Sequence, residues 1–276
     1  MNKPASIRQL IETQVIESRK ADRQGWIQKG WFSSGLGNCI SGRYYERLFG
    51  GKEEPVDVRK QLLFATGDAF HEWVYQQVRK SSIPHEIEES LSLPALHLVG
   101  RLDMRLMWQP NHWTVYDIKT VHSKSFWWRE QSGTTAQEHH LLQVTAYLMM
   151  LRKKYPKLVF DGRILYISKD DLAMSEVAVP MTTQAEEAIK SSLKTLNAAW
   201  KAQVPPKPEE DIVYQGGKWQ IHWKGRYCLY HHLCTGNPNW LEDAKQEVAR
   251  RNKEAAYGSS INSNGVTVTA PVAEGK

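Results

Sequence analysis

Two aspartates and a lysine in one short stretch have the spacing of a catalytic group. Two runs of alternating polar and apolar residues, Leu98 to Trp108 and Trp113 to Thr120, flank a Pro-Asn pair that suits a tight turn. This pattern predicts a β-hairpin. Side chains two apart in a strand share a face and lie about 6 to 7 Å apart, so Asp117 and Lys119 project together. A suitable register would bring Asp103 of the first strand beside them.

Carboxylates on neighbouring strands are typical ligands of a hard divalent cation. Mg²⁺ prefers carboxylate, water and phosphate oxygens, so Asp103 and Asp117 could hold such an ion against a phosphodiester. A bound cation polarises the phosphate and lowers the pKa of an attacking water, while Lys119 could orient that water or offset developing charge. The other interpretation is an exposed hairpin whose charges are only solvated.

A histidine on a predicted helix adds another candidate ligand. Apolar residues recur at helical spacing from Val58 to Lys80 and predict a helix. His71 lies one turn after Gly67 and shares a face with Val74. A histidine beside an apolar stripe is usually a hydrogen-bonded core residue, but the carboxylates of the following hairpin favour a metal ligand here.

A second helix, predicted from Ala136 to Lys154, carries polar side chains on an apolar surface. Its centre is almost continuously apolar, which predicts burial. Gln143 and Tyr147 are four residues apart and lie on one face with His140. Buried polar groups need partners, so these side chains could face Lys119 or a bound nucleic-acid strand, or form a structural hydrogen bond.

The connection after Thr120 is basic and aromatic. Lys124 and Arg129 could contact phosphates, and the neighbouring rings could stack on bases. These rings are Phe126, Trp127 and Trp128. The alternative is that the aromatic residues only cover the sheet.

Length, charge and cysteine content narrow the class of protein. The length of 276 residues favours one large domain. The net charge of +6 favours a polyanionic partner. We expect residues 1–254 to form that domain and residues 255–276, which are of low complexity, to be a disordered tail. No run of about 18 apolar residues suggests a membrane span, and we expect a cytoplasmic protein. Three cysteines, an odd number, argue against a secreted disulfide framework.

The order of these motifs resembles the PD-(D/E)XK nuclease superfamily, and most closely its RecB/AddB-type and CRISPR-associated adaptation exonuclease branch. The likeness runs from Ser33 to Cys234 and implies a mixed α+β (α/β) fold. This is a restriction-endonuclease-like core, a central mixed β-sheet flanked by helices in the order αβββαβ. It also implies a deoxyribonuclease with Mg²⁺ or Mn²⁺ as cofactor and DNA as partner, most simply a stand-alone exonuclease on single strands or free ends. Its setting would be DNA repair, recombination or mobile-element replication. The alternatives are a catalytically silent nucleic-acid-binding module and a restriction-type endonuclease.

The resemblance implies a role for each matching residue. His71 stands at the metal-coordinating histidine of a GxxxH pattern, and Asp103 at the aspartate of the first strand pair. Asp117, Ile118 and Lys119 form the (D/E)xK element, in which the backbone carbonyl of Ile118 would complete the metal shell. Asp103, Asp117 and Lys119 would be the catalytic residues.

Two further motifs of the resemblance lie outside the hairpin. Gln143 and Tyr147 match a QxxxY motif that, in the family, supports the lysine and contacts the DNA strand.

Several relatives hold an iron-sulfur cluster with one early cysteine and a late CxxCxxxxxC group. Three positions match that group here: Cys39, Cys228 and Cys234. Because position 225 is glycine, three thiolates would hold a cluster with an open site, or a histidine would supply the fourth ligand to a cluster or to zinc, or the cysteines only pack. The candidate histidines are His222, His231 and His232. In either case we expect the early and late cysteine segments to meet.

Overall fold

The computed structural model describes residues 6–23, 30–50, 57–133 and 136–260. The chain divides into two compact units, Met1–Pro206 and Lys207–Lys276. The single domain of residues 1–254 stays a prediction. None of the described helices is both long and apolar enough to cross a bilayer.

The first unit combines helices with a large sheet. Its described helices are α1 (Ile7–Arg23), α2 (Ile40–Phe49), α3 (Val58–Arg79), α4 (Ser123–Ser132), α5 (Glu138–Lys154) and α6 (Thr183–Ala202). Its described strands are β1 (Trp31–Phe32), β2 (His85–Ile87), β3 (Ser90–Leu93), β4 (Leu98–Arg101), β5 (Met104–Gln109), β6 (His112–Val121), β7 (Val159–Ser168) and β8 (Met174–Val179). The long helices therefore lie close to where the apolar spacing predicts them. Helix α3, for example, begins after Asp57, whose carboxylate accepts hydrogen bonds from the Arg59 and Lys60 amides.

The central sheet has five strands in the order β2-β5-β6-β7-β8. Strands β6 and β7 are parallel and every other neighbouring pair is antiparallel, so the sheet is mixed. The parallel pair requires a crossover, and α4 and α5 supply it. The elements α3, β2, β5, β6, α5 and β7 occur in this order, with β3 and β4 inserted after β2 and α4 inserted before α5. This is the αβββαβ order, and the expected fold class is confirmed.

Apolar side chains fill both faces of this sheet. Helix α5 covers one face in a cluster that includes Val115 of β6, and α3 covers the other in a cluster that includes Tyr116 and Ile118. The alternation of β6 therefore sends its side chains to the predicted faces. Gly162 of β7 lets α5 approach closely, because a Cβ there would lie 2.5 Å from Val144.

The first strand of the predicted hairpin is interrupted. The sequence predicts one run from Leu98 to Trp108, whereas β4 and β5 belong to two different sheets. The break falls between them, at Leu102 and Asp103. A second bend lies between β2 and β3, at Glu88, which has a φ of 56°. The Glu88 amide donates to the Asp103 carbonyl at 2.8 Å, so the two bends are joined by hydrogen bonding. Continuous alternation in the sequence conceals this break, and the single-strand prediction was wrong.

The basic connection contains a helix, and the expected tail needs a correction. Residues 123–132 of the basic connection form helix α4, and residues 134 and 135 lie outside the described residues. The last helix of the chain, α9 (Trp240–Ser260), extends into the expected tail, so residues 255–260 are helical. The prediction of disorder for residues 261–276 concerns residues that the structure does not describe.

The second unit is small and begins with a hairpin. Strands β9 (Ile212–Gln215) and β10 (Lys218–Ile221) are antiparallel and lead into α7 (Trp223–Arg226), α8 (His231–Thr235) and α9. The Asn252 side chain of α9 bonds both the amide and the carbonyl of Trp219, at 2.8 and 2.9 Å. The helix is thereby fixed to the hairpin.

Candidate active site

Strand pairing brings the two aspartates of the hairpin face to face. Met104 of β5 lies opposite Tyr116 of β6, which places Asp103 opposite Asp117. The Ile118 amide donates a hydrogen bond to Asp103 Oδ2 at 2.7 Å, and this bond fixes the Asp103 side chain against β6. The register therefore satisfies the condition under which Asp103 joins Asp117 and Lys119.

The histidine and the lysine complete the group. His71 Nδ1 of α3 lies 3.8 Å from Asp103 Oδ1, and Lys119 Nζ lies 2.7 Å from Asp117 Oδ2. The structure thus brings together side chains that are up to 48 positions apart in the chain. Their arrangement joins one imidazole, two carboxylates and one ammonium group.

Burial gives this group unusual electrostatics. Asp117 is fully buried, and burial raises its pKa to about 6 although Lys119 opposes the shift. Burial also raises the pKa of Asp103. For Lys119, burial disfavours the charge, but Asp117 and Asp103 outweigh it and raise the pKa of the ammonium group. Two carboxylates therefore lie beside one cation in a region of low dielectric, where ionisation of both favours a further positive charge.

The side chains present fit a hard divalent cation, although they are not preassembled around one. Among the described residues, no group of three His, Cys, Asp or Glu side chains is arranged to hold a metal ion. The ammonium of Lys119 neutralises Asp117 instead. Asp117 Oδ1, however, is buried and accepts no hydrogen bond from the described residues, as expected of an oxygen reserved for a ligand. The carboxylate oxygens and the nearby Ile118 backbone are the donor types that Mg²⁺ and Mn²⁺ take.

His71 is suited to metal binding by its protonation state. Burial, followed by the charge of Lys119, lowers its pKa, while the Ile118 backbone acts in the opposite direction as a hydrogen-bond acceptor. The lowered pKa favours the neutral imidazole, which is the form that binds a metal.

Gln143 and Tyr147 of α5 hold the strand that leads to Asp103. Both are buried, 7% and 2% exposed. Gln143 Nε2 donates to the Tyr147 hydroxyl at 2.9 Å, and that hydroxyl donates to the Arg101 carbonyl at 2.9 Å. These two side chains therefore fix the end of β4, two residues before Asp103. Of the alternatives that the sequence leaves open for them, the structure shows the structural hydrogen bond.

The Tyr147 hydroxyl has one more partner that the sequence did not indicate. Ser33 also bonds it, and Gly100 leaves room for that serine, because a Cβ at position 100 would lie 2.4 Å from Ser33 Oγ. Ser33 is buried and is the first residue of a short 3₁₀ helix, Ser33–Gly35. A lone serine in a Gly-Ser-rich stretch carries no pattern that would identify this contact.

Removal of the Tyr147 hydroxyl should loosen this support. In Tyr147→Phe, the Arg101 carbonyl and the Gln143 amide lose their partner in a buried position. We expect the free energy of unfolding to fall by about 1 to 3 kcal/mol. Urea denaturation measures this effect, and Tyr214→Phe, at an exposed ring of the second unit, is the control. Equal stability of wild type and Tyr147→Phe would contradict the supporting role.

The basic connection presents only part of its charge to solvent. Lys124 is exposed, as are Trp127 and Trp128. Arg129 is buried, with its guanidinium carbon 3.4 Å from the centre of the Tyr166 ring and a nitrogen 3.1 Å from Glu130. Phe126 lies in the core. Arg129 therefore points inward in this structure, whereas Lys124 points outward.

Tyr166 links Arg129 to strand β6. It lies beside Lys119 in the parallel register, and His140 Nδ1 is 2.8 Å from its hydroxyl. Burial, followed by the charges of Lys119, His139 and Arg129, lowers the pKa of His140 to about 2, so this ring stays neutral. His140 therefore belongs to the polar layer behind Lys119.

The cysteines are divided between the two units. Cys39 lies in the first, and Cys228 and Cys234 lie in the second. Within the second unit, the His231 ring is buried and pairs with the Asp211 carboxylate. A Cβ at Gly225 would lie 3.3 Å from that ring, so a cysteine there would press on it. Among the described residues, no three of these donors are grouped as metal ligands, and both the cysteine centre and the meeting of the early and late segments stay predictions.

Comparison with known proteins identifies the family. A profile of the PD-(D/E)XK nuclease superfamily matches residues 8–235. The chain therefore belongs to the PD-(D/E)XK nuclease superfamily, a group of metal-dependent nucleases that act on DNA. No curated protein matches it.

Two solved structures resemble the chain. SSO0001 has 16% sequence identity and a TM-score of 0.51, over 84% of this chain and 97% of that one. The alkaline exonuclease LHK-Exo from Laribacter hongkongensis has 11% identity and a TM-score of 0.46, over 68% of this chain and 93% of that one. At 16% identity the similarity to SSO0001 concerns the fold alone.

Proposed function

We propose that this chain is a Mg²⁺- or Mn²⁺-dependent exodeoxyribonuclease acting on single strands or free ends of DNA. Its setting would be DNA repair, recombination or mobile-element replication. The observation that carries the proposal is the pair of a half-buried Asp103 and a fully buried Asp117 beside Lys119, in a chain of a nuclease superfamily. The order of the GxxxH, Asp, DxK and QxxxY motifs supports a place in the RecB/AddB-type and CRISPR-associated adaptation branch.

The cation would be held by His71, Asp103, Asp117 and the Ile118 carbonyl. When bound, it polarises the phosphate and lowers the pKa of a coordinated water. The protein contributes a pair of carboxylates whose burial disfavours their own charge, so cation binding relieves an existing electrostatic cost. The hydrogen bond from the Ile118 amide keeps Asp103 in position for this task.

Lys119 supplies a fixed positive charge next to the reacting phosphate. Its raised pKa keeps the ammonium group protonated at neutral pH, and 22% of the side chain is exposed, which leaves it within reach of a substrate. In that position it can orient the attacking water and stabilise the negative charge that develops on the phosphate. The neutral His140 and the Tyr166 hydroxyl form the polar layer behind it.

Helix α4 is the proposed contact with the DNA strand. Asp170 accepts from the Ser123 amide at 2.8 Å, and Asp171 accepts from Trp127 Nε1 at 2.7 Å, so the helix is held by the loop after β7. Lys124 would contact a phosphate, and the exposed rings of α4 would stack on bases. Arg129 would act indirectly, through its contact with Tyr166.

Incubation with end-labelled single- and double-stranded DNA tests this function. We expect progressive shortening from the ends with Mg²⁺ or Mn²⁺ and no reaction with EDTA. Discrete fragments would indicate a restriction-type endonuclease instead. Salt-sensitive DNA binding without cleavage under either metal would indicate a catalytically silent binding module.

Metal binding should stabilise the protein in a pH-dependent way. Burial raises the pKa of Asp117 from the ordinary 3.8 to about 6, so the folded protein binds more protons than the unfolded chain between these values. Ionisation of Asp117 therefore lowers stability as the pH rises through 6, and a cation that binds the ionised form restores it. At ten times the Kd, the gain is about 1.4 kcal/mol, or roughly 3 to 5 °C in Tm at pH 7.5.

At pH 5 this stabilisation should be nearly absent, because protons compete for the same oxygens. Thermal melts with and without 10 mM Mn²⁺, an amount chosen on the order of ten times an expected millimolar Kd, measure the difference. Asp117→Asn should show no metal-dependent shift at either pH. An equal shift at pH 5 and pH 7.5 would contradict the proposed ligands.

A further inference from the structure

An exposed ion pair lies at the edge of the candidate site. Arg101 Nη2 of β4 is 3.6 Å from Glu88 Oε1, and the two side chains are 66% and 46% exposed. At this distance the contact is an ion pair without a hydrogen bond. Exposed pairs of this kind are weakly held, so the guanidinium can exchange its partner.

The backbone under this pair is firmly fixed. The Arg101 carbonyl accepts the hydrogen bond from Tyr147, and the Glu88 amide donates to the Asp103 carbonyl. Arg101 precedes Asp103 by two residues. The two side chains can therefore move while their attachment points stay in a constant position relative to Asp103.

The charge of Arg101 reaches the catalytic group. Burial raises the pKa of Asp103 and of Tyr75, and Arg101 opposes both shifts. Glu88 acts on the same two groups in the opposite direction. Three carboxylates, those of Asp103, Asp117 and Glu88, would repel a DNA strand here, and Arg101 is an exposed cation placed to offset them.

We propose that Arg101 binds a backbone phosphate of the DNA strand adjacent to the scissile phosphate, and that Glu88 is its counter-ion when DNA is absent. This inference rests on the proposed nuclease function. A guanidinium matches a phosphate by two parallel hydrogen bonds, which it does not form with Glu88 at 3.6 Å. Binding of DNA therefore replaces a loose ion pair with a stronger one.

Steady-state kinetics on a labelled single-stranded oligonucleotide tests the proposal. Arg101→Ala should raise KM about tenfold, as for loss of a charge-assisted hydrogen bond, and leave kcat within about threefold. Arg101→Lys should retain the charge but lose the paired geometry, with an intermediate KM. Glu88→Gln should lower KM, because the competing counter-ion is gone. Arg163→Ala breaks the exposed Arg163–Glu176 pair on β7 and β8, 2.9 Å apart, and serves as the matched control with unchanged KM.

Salt-dependent binding separates a phosphate contact from a structural effect. In a Lys119→Ala background with Mg²⁺, Arg101→Ala should reduce the slope of log Kd against log salt by about 1. Wild-type KM and slope in Arg101→Ala, with normal cleavage by the wild type, would overturn this inference alone. Absence of cleavage by the wild type under Mg²⁺ and Mn²⁺ would overturn the proposed function, and this inference with it.

Discussion

Substitution of Asp117 by asparagine is expected to lower the rate of metal-dependent DNA cleavage by about a thousandfold or more. The change removes one negative charge and little volume, so the fold should be retained. Because ionisation of the buried carboxylate disfavours folding above pH 6, the metal-free variant should be at least as stable as the wild type at pH 7.5. Initial rates on end-labelled single-stranded DNA, together with thermal melts, measure both effects.

Asp161 provides the matched control for this experiment. It lies on the adjacent strand β7, is about half exposed and pairs with His112 at 3.3 Å. Asp161→Asn should therefore cleave at the wild-type rate. If Asp117→Asn retained the rate of Asp161→Asn, the carboxylate would have no catalytic role.

Substitution of Lys119 by alanine should cause the second largest loss, about a hundred- to a thousandfold in kcat. This lysine contributes its charge to the transition state and does not ligate the metal in our proposal. Mn²⁺-dependent stabilisation at pH 7.5 should therefore persist in Lys119→Ala, whereas Asp117→Asn should lose it. The same cleavage assay and thermal melts measure the two quantities.

Lys190→Ala is the corresponding control for a lysine. Lys190 lies on α6, is exposed and pairs with Glu186 one helical turn away. Its removal should change neither cleavage nor metal-dependent stabilisation. Loss of the Mn²⁺ effect in Lys119→Ala would show that the lysine acts by organising the metal ligands, and would contradict the division of roles proposed here.

The hairpin that carries the candidate site could be predicted because its pattern is local. Alternation along β6 determines which side chains share a face with Asp117, and the Pro-Asn turn, with Asn111 at a φ of 62°, restricts the register. The long helices could be predicted for the same reason, because the spacing of their apolar residues indicates which face of each helix is buried. His71 was found in this way, from its place on α3.

The features that were missed depend on contacts between distant segments. The break between β4 and β5 is coupled to Glu88, and alternation alone gives no sign of it. Arg129 has the positive charge expected of a residue that binds phosphate, but its guanidinium packs against the Tyr166 ring and points inward. Ser33 has no motif, and only the tertiary structure places it against the Tyr147 hydroxyl, which holds the end of the strand before Asp103.

The central claim is that the side chains of the candidate site bind a divalent cation. Titration with Mn²⁺ at pH 7.5, monitored by calorimetry or by the electron paramagnetic resonance of the ion, tests it most directly. We predict saturable binding to the wild type and to Asp161→Asn, and its loss in Asp117→Asn. Equal binding by the wild type and by Asp117→Asn would contradict a cation site built from His71, Asp103 and Asp117.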